Sequence, residues 1–209
     1  MTISLPRIYP ITDTAVCGLS HTEQVRRLLD GGATLIQLRE KVSSARDFIR
    51  DAEEALAIAR PHKVRIIIND RVDVALALNA DGVHLGQSDM PVEAARNLLG
   101  RQSIIGFSTH NLAQIEHAIT LPVDYIAFGP VFATQTKNDH EPVVGLNHLG
   151  EIKDTISDKP LVGIGGITEQ NFAGALAAGA DSVAVISDLL REPAKIAEKL
   201  ARMLALAGG

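Results

Sequence analysis

Residues 65–89 read RIIINDRVDVALALNADGVHLGQSD, and this stretch carries the smallest unit from which the chain's architecture can be built. Arg65-Ile-Ile-Ile-Asn69 is a continuous apolar run of the kind found in strands covered on both faces. A helical stretch follows, and Asn79 stands where it should stop, because a left-handed C-cap favours Gly or Asn. Gly82–Leu85 then reads as a second strand. The unit is strand, helix, strand.

The same alternation recurs on either side. Candidate strands are Arg7–Thr12, Thr34–Arg39, Arg65–Asn69, Gly82–Leu85, Ser103–Ser108, Asp124–Phe128, Leu161–Ile164 and Ser182–Val185. Ser20-His-Thr-Glu23 reads as a capping box and Ser44-Ala-Arg-Asp47 as a weaker cap, while Gly100 and Gly179 mark further helix ends. Three phrases, Asp30-Gly-Gly-Ala33, Asn79-Ala-Asp-Gly82 and Ala178-Gly-Ala-Asp181, lead from a helix into the next strand. Eight strands, each followed by a helix, predict an α/β fold of the (β/α)8 barrel type. A doubly wound open sheet gives a similar alternation. No linker divides the chain, so residues 1–209 are expected to form one domain.

Composition narrows the functional classes. Of 209 residues, 46% are hydrophobic but only 3% aromatic, with no Trp, so the core must be aliphatic and a base-stacking surface is disfavoured. A net charge of −5 without a basic cluster argues against nucleic acid. Cys17 stands alone, which excludes an intrachain disulfide and a thiolate metal cluster. No leader sequence and no apolar run of about 20 residues is evident, so the expected location is cytoplasmic, away from membranes.

In a barrel of this type, active sites form at the C-terminal ends of the strands. Those positions are unusually polar here: Gln37-Leu-Arg-Glu-Lys41, Asn69-Asp-Arg71, His84-Leu-Gly-Gln-Ser-Asp89 and Ser108-Thr-His110. Asp70 and Asp89 follow neighbouring strands and can share Mg²⁺, which is commonly held by one or two carboxylates plus substrate phosphate. Each aspartate alone reads equally well as a helix cap. Gln37, Arg39 and Lys41 alternate along an extended segment and can face one side, as phosphate-gripping groups. Glu40 points the other way and reads as structural. Lys137, beside Thr134 and Thr136 on the long loop 129–145, is a third candidate cation. Gly165-Gly166 and Ser187, which opens the last barrel helix, offer backbone N–H groups to a second phosphate. His84 reads as a packed barrel residue, His110 as a cap for the helix after strand five, and Ser108 as a hydrogen-bond donor.

These blocks, with Gly129-Pro-Val-Phe132, Thr134-Gln-Thr-Lys137 and Gly163-Ile-Gly-Gly-Ile167, together resemble the signature segments of the thiamine phosphate synthase family, in order and over nearly the whole chain. Ala133, where a proline is expected, and the loop Asn138–Pro142 depart from the pattern. The resemblance implies a TIM-barrel transferase joining hydroxymethylpyrimidine diphosphate to a thiazole phosphate, with loss of pyrophosphate by a dissociative, carbocation-like substitution. It implies pyrimidine diphosphate binding by Gln37, Leu38, Arg39, Glu40, Lys41, Asn69, Ser108 and Lys137, with Arg39, Lys41, Ser108 and Lys137 in catalytic roles. Leu38 and Glu40 enter only as members of their segment. It also implies Mg²⁺ on Asp70 and Asp89, and thiazole phosphate on Thr134, Gln135, Thr136, Gly166, Ile186 and Ser187. A thiazole tautomerase-like sister barrel and a non-catalytic phosphometabolite-binding barrel are the competing readings. A homo-oligomer is compatible with the sequence, which does not choose one.

Overall fold

The computed structural model describes residues 3–134, 142–156 and 158–208. Strands β1 (Ile8–Asp13), β2 (Leu35–Arg39), β3 (Arg65–Asn69) and β4 (Gly82–Leu85) make the first half of the barrel. Strands β5 (Ile104–Thr109), β6 (Tyr125–Phe128), β7 (Leu161–Ile164) and β8 (Ser182–Val185) make the second. Helices α1 (Thr14–Cys17) and α2 (His21–Asp30) follow β1, and α3 (Ala45–Ala59) follows β2. Then α4 (Val72–Ala77), α5 (Val92–Leu99), α6 (Leu112–Ala118), α7 (Gly145–Ile156) and α8 (Phe172–Ala177) follow β3 to β7 in turn. Two helices, α9 (Ser187–Leu190) and α10 (Ile196–Ala207), close the chain after β8.

Every neighbouring pair is parallel, and β1 also pairs with β8, Ile8 opposite Val183. The sheet is therefore a closed barrel, and the open-sheet alternative is excluded. Strand β1 runs one residue beyond the sequence expectation because Asp13 pairs in register with Arg39.

The period-two alternation of strands sorts side chains into two cores. Tyr9, Ile11, Leu35, Ile67, Tyr125 and Val162 fill the barrel interior. Their neighbours, such as Ile8, Ile36, Leu38, Ile66 and Ile68, face the helices. A fully buried aliphatic side chain contributes roughly 1.5–3 kcal/mol, so the Leu, Ile and Val content suffices without tryptophan. Gly106 has a packing role of its own. A Cβ there would collide with the ring of Tyr125, so the glycine admits the tyrosine to the interior.

The helix ends follow the expected chemistry. The Ser20 hydroxyl accepts from the Glu23 N–H at 3.1 Å, and Ser44 accepts from Asp47 at 3.2 Å. Asn79, Gly100 and Gly179 all have positive φ, at 49°, 80° and 113°. One expectation is corrected: Asn111, not His110, caps α6, accepting from the Gln114 N–H at 3.0 Å. The His110 ring is turned instead onto the Gly129 carbonyl oxygen, 2.7 Å away.

The helix-to-strand phrases also have a structural meaning. The Asp81 carboxylate accepts from the Ile66 N–H at 2.8 Å, and Asp181 accepts from Leu161 at 2.7 Å. Asp124 repeats the device on Ile105 at 2.7 Å. Each aspartate at the lower end of the barrel satisfies an amide at the start of a neighbouring strand, its first or second residue, and so helps fix the register.

Candidate active site

The segment Gln37–Lys41 leaves the barrel at its upper end. Gln37 and Arg39 point inward, whereas Leu38 is fully buried toward the helices and adds only backbone to the rim. Arg39 forms an ion pair with Asp13, both side chains almost buried. Asp13 was not among the sequence candidates. Its carboxylate also accepts from the Val16 N–H at 3.1 Å, so one acid starts α1 and aims the guanidinium.

Glu40 turns away from the cavity, as its place in the alternation requires. It accepts from the Thr14 hydroxyl at 2.7 Å, the Val42 N–H at 2.6 Å and the Ser43 N–H at 3.0 Å. Burial alone would raise its pKa, but these donors outweigh it and hold the carboxyl at about 2. Glu40 thereby pins the turn that presents Lys41. The Lys41 ammonium lies on the Asp70 carboxylate.

Asp70 has φ +62°, a left-handed conformation uncommon outside glycine. This turn, fixed by its N–H on the His84 carbonyl at 2.8 Å, ends β3 and opens the route to α4. The helix-cap explanations for the two acids do not hold: α4 and α5 have no side-chain cap, their N-cap positions being Arg71 and Pro91. Asp89 accepts from the Gly86 N–H at 2.7 Å. Burial raises its pKa, the Gly86 N–H lowers it, and the adjacent negative Asp70 raises it further. The two carboxyls are thus close enough to interact directly, beside one ammonium. Among the described residues no cluster of three or more His, Cys, Asp or Glu could hold a metal ion.

A narrow cavity, open to solvent, lies beside this rim. It brings Gln37, Arg39, Asn69 and Ser108 together with Ile186 from the far wall. Its floor is polar. Gln37 donates to the Tyr9 hydroxyl at 3.1 Å, Tyr9 and Tyr125 hydroxyls lie 3.1 Å apart, and the Tyr125 hydroxyl is 2.9 Å from His84 Nδ1. His84 Nε2 in turn lies 2.8 Å from Ser108 Oγ. His84 is indeed a packed barrel residue. The sequence reading missed both tyrosines, although a signal existed: the chain's only two tyrosines lie in strands, inside an aliphatic core.

Across the rim, Gly165 and Gly166 have φ +96° and +64°. A Cβ at Gly166 would lie 2.5 Å from the Ala133 carbonyl oxygen and 2.7 Å from Phe132 Cβ, so the turn packs against the loop after β6. Asn171 donates to the Gly166 carbonyl at 2.9 Å and holds the turn's shape. Ser187 does open α9, but that helix is one turn long, so any anion attraction there rests on local N–H groups. Thr134 is half-buried at the edge of the same loop. Gln135, Thr136 and Lys137 lie outside the described residues.

The family model described as thiamine monophosphate synthase matches residues 8–189. The chain belongs to the thiamine monophosphate synthase family. Its relatives include the thiamine-phosphate synthase of Koribacter versatilis, 43% identical over 207 residues and 97% of both chains. That of Clostridium novyi is 46% identical over 186 residues, 88% of this chain and 91% of the other. Among solved structures, a thiamine phosphate pyrophosphorylase from Pyrococcus furiosus superposes with a TM-score of 0.85 at 35% identity, covering 97% of each chain. Membership of the thiamine monophosphate synthase family makes the chain a transferase, in agreement with the expected activity. Among the described residues, no helix is long and apolar enough to cross a membrane.

Proposed function

We propose that this chain joins hydroxymethylpyrimidine diphosphate to a thiazole phosphate, giving thiamine monophosphate and pyrophosphate. One observation supports the chemistry: Lys41, Asp70 and Asp89 interact with one another at the exits of β2 to β4, close in the chain to Arg39 and Asn69, which line the cavity with Gln37 and Ser108. In this reading the pyrimidine sits in the cavity and its diphosphate lies under Arg39 and Lys41, with Lys137 a third cation. Charge grows on the diphosphate as its bond to the methylene carbon breaks, and fixed cations aimed at developing charge lower such a barrier. The thiazole nitrogen then captures the carbon. No protein nucleophile is required. The thiazole phosphate tail rests on Gly166, Ile186 and Ser187 with Thr134, Gln135 and Thr136, held by backbone N–H groups and hydroxyls.

Asp70 and Asp89 fit a Mg²⁺ site, because a carboxylate pair leaves positions for phosphate oxygens and water. Mg²⁺ there would neutralise the leaving diphosphate. The Lys41 ammonium, which rests on Asp70, would move toward the diphosphate once it is bound. A cytoplasmic location goes with this reading, as both substrates are charged phosphate esters.

The test is to mix both substrates with Mg²⁺, quench, and identify the products. Thiamine monophosphate and pyrophosphate in equal amounts are expected. Isomerised thiazole phosphate without pyrophosphate would establish the tautomerase, and tight binding of both compounds without turnover would establish a non-catalytic binder.

A further inference from the structure

A count of donors and acceptors offers one direction in which every proton of the polar chain under the cavity has an acceptor. With Gln37 Nε2 donating to the Tyr9 oxygen, the acceptor at hand for the buried Tyr9 proton is the Tyr125 oxygen. Burial pushes the Tyr9 phenol up to about 12 and the Tyr125 phenol well above its usual value, so both keep their protons near neutrality. In that direction Tyr125 accepts from Tyr9, and the acceptor for its own proton is His84 Nδ1, 2.9 Å away. A neutral imidazole that accepts at Nδ1 carries its hydrogen on Nε2. That hydrogen falls on Ser108 Oγ at 2.8 Å, and the serine's own proton is left for the cavity that Ser108 lines.

We propose that Tyr9, Tyr125 and His84 act as positioning residues, a one-way hydrogen-bond relay that makes Ser108 an obligate donor toward an acceptor nitrogen of the bound heteroaromatic ring. The proposal rests on the aminopyrimidine reading of the cavity only for the identity of that ring. It also separates the Ser108–His84 pair from a nucleophilic dyad of similar appearance. In a serine–histidine–aspartate triad the Nδ1 hydrogen goes to the acid and Nε2 is free to take the serine proton. Here the tautomer is the reverse. His84 cannot deprotonate Ser108, and the pair selects a ligand edge that accepts. Gly106 belongs to the device by omission, since any side chain there would displace Tyr125.

The tautomer can be read in the substrate-free protein by ¹⁵N NMR of the imidazole rings, with His84 assigned by the resonance lost in His84→Gln. A neutral ring protonated at Nε2 is expected. A hydrogen on Nδ1, or on both nitrogens, would overturn the relay whether or not the chain makes thiamine phosphate. Tyr125→Phe, or Tyr9→Phe should the first not fold, is expected to convert the single tautomer into a mixture. An unchanged spectrum in the folded variant would remove the tyrosines from the proposal.

A kinetic contrast tests the last link. His84→Gln keeps an N–H at the Nε2 position, whereas the shorter side chain of His84→Asn does not reach it. Losing one oriented donor corresponds to about tenfold in affinity, so KM for the pyrimidine diphosphate is expected about tenfold higher in His84→Asn than in His84→Gln. KM for the thiazole phosphate is expected to be equal in the two. Equal pyrimidine KM values would sink the claim that His84 works through Ser108.

Discussion

The two ends of this barrel use the same side chain for different purposes. At the lower end Asp81, Asp124 and Asp181 each clasp a backbone amide of a neighbouring strand, and the last two also hold Arg96 and Lys153 at 2.6 Å. At the upper end Asp70 and Asp89 face each other beside Lys41, on a backbone with φ +62° at Asp70. Two carboxyls side by side are a poor way to hold strands together. Under the proposed function they are the place for a cation, and the contrast then separates the end that carries stability from the end that carries chemistry, as expected for barrels whose upper loops carry the reaction.

The contrast can be broken most strongly at Lys41. Lys41→Ala is expected to lower turnover on the order of a hundredfold, the size of losing one donor aimed at developing charge. The melting temperature should scarcely change, and a large drop in it would place Lys41 among the structural residues. Asp89→Ala should come next. It should raise the Mg²⁺ concentration for half-maximal rate by about 10–100-fold, as loss of a ligand or its support does. An unaltered metal titration would remove Asp89 from the site.

Gly166→Ala sharpens the comparison from the backbone side. The positive φ and the close Ala133 carbonyl oxygen mean that the turn must shift. KM for the thiazole phosphate should rise about tenfold, the size of one lost oriented hydrogen bond, with KM for the pyrimidine diphosphate unchanged. Equal increases in both would mean that the turn serves the whole rim. At the lower end, Asp124→Ala should cost about 2 kcal/mol by leaving the Ile105 amide without its acceptor and Arg96 without its carboxylate partner. In a chain of this size that is a fall of roughly 4–8 °C in Tm. The rate constant at 25 °C should hold, and a matching fall would erase the distinction between the two ends.

Glu40 has the smallest expected effect. Its pKa is lowered in the fold to about 2, so its stabilisation is complete above the ordinary carboxylate pKa of about 4.5 and is lost as pH falls through about 2. Chemical denaturation of Glu40→Gln should show the difference from the parent shrinking across that window. A difference that stayed constant with pH would mean that shape alone, not charge, matters at this position.

Much of this was legible in the chain. The eight strands, the caps at Ser20 and Ser44, and the polar ends of β2 to β5 follow from periodicity and local hydrogen bonding, which act over a few residues. Glu40 could be assigned its outward role from alternation alone. The misses are of another kind. Asp13 lies 26 residues from Arg39 and meets it only because β1 and β2 pair in register. Tyr9 and Tyr125 are 116 residues apart and touch only because the barrel closes. His110 lost its expected cap role to Asn111 because the Gly129 carbonyl oxygen, on the neighbouring strand's exit, was within reach.

The amino-acid sequence by itself therefore determined the alternation of eight strands with helices, the polar strand ends and the family, since each is written in local pattern or in ordered motifs. Tertiary structure alone decided that the sheet closes, which acids face a partner, which cap nothing, and which interior polar groups meet. Those outcomes depend on register and closure, which set distances between atoms far apart along the chain, and such distances leave no local trace in residue order.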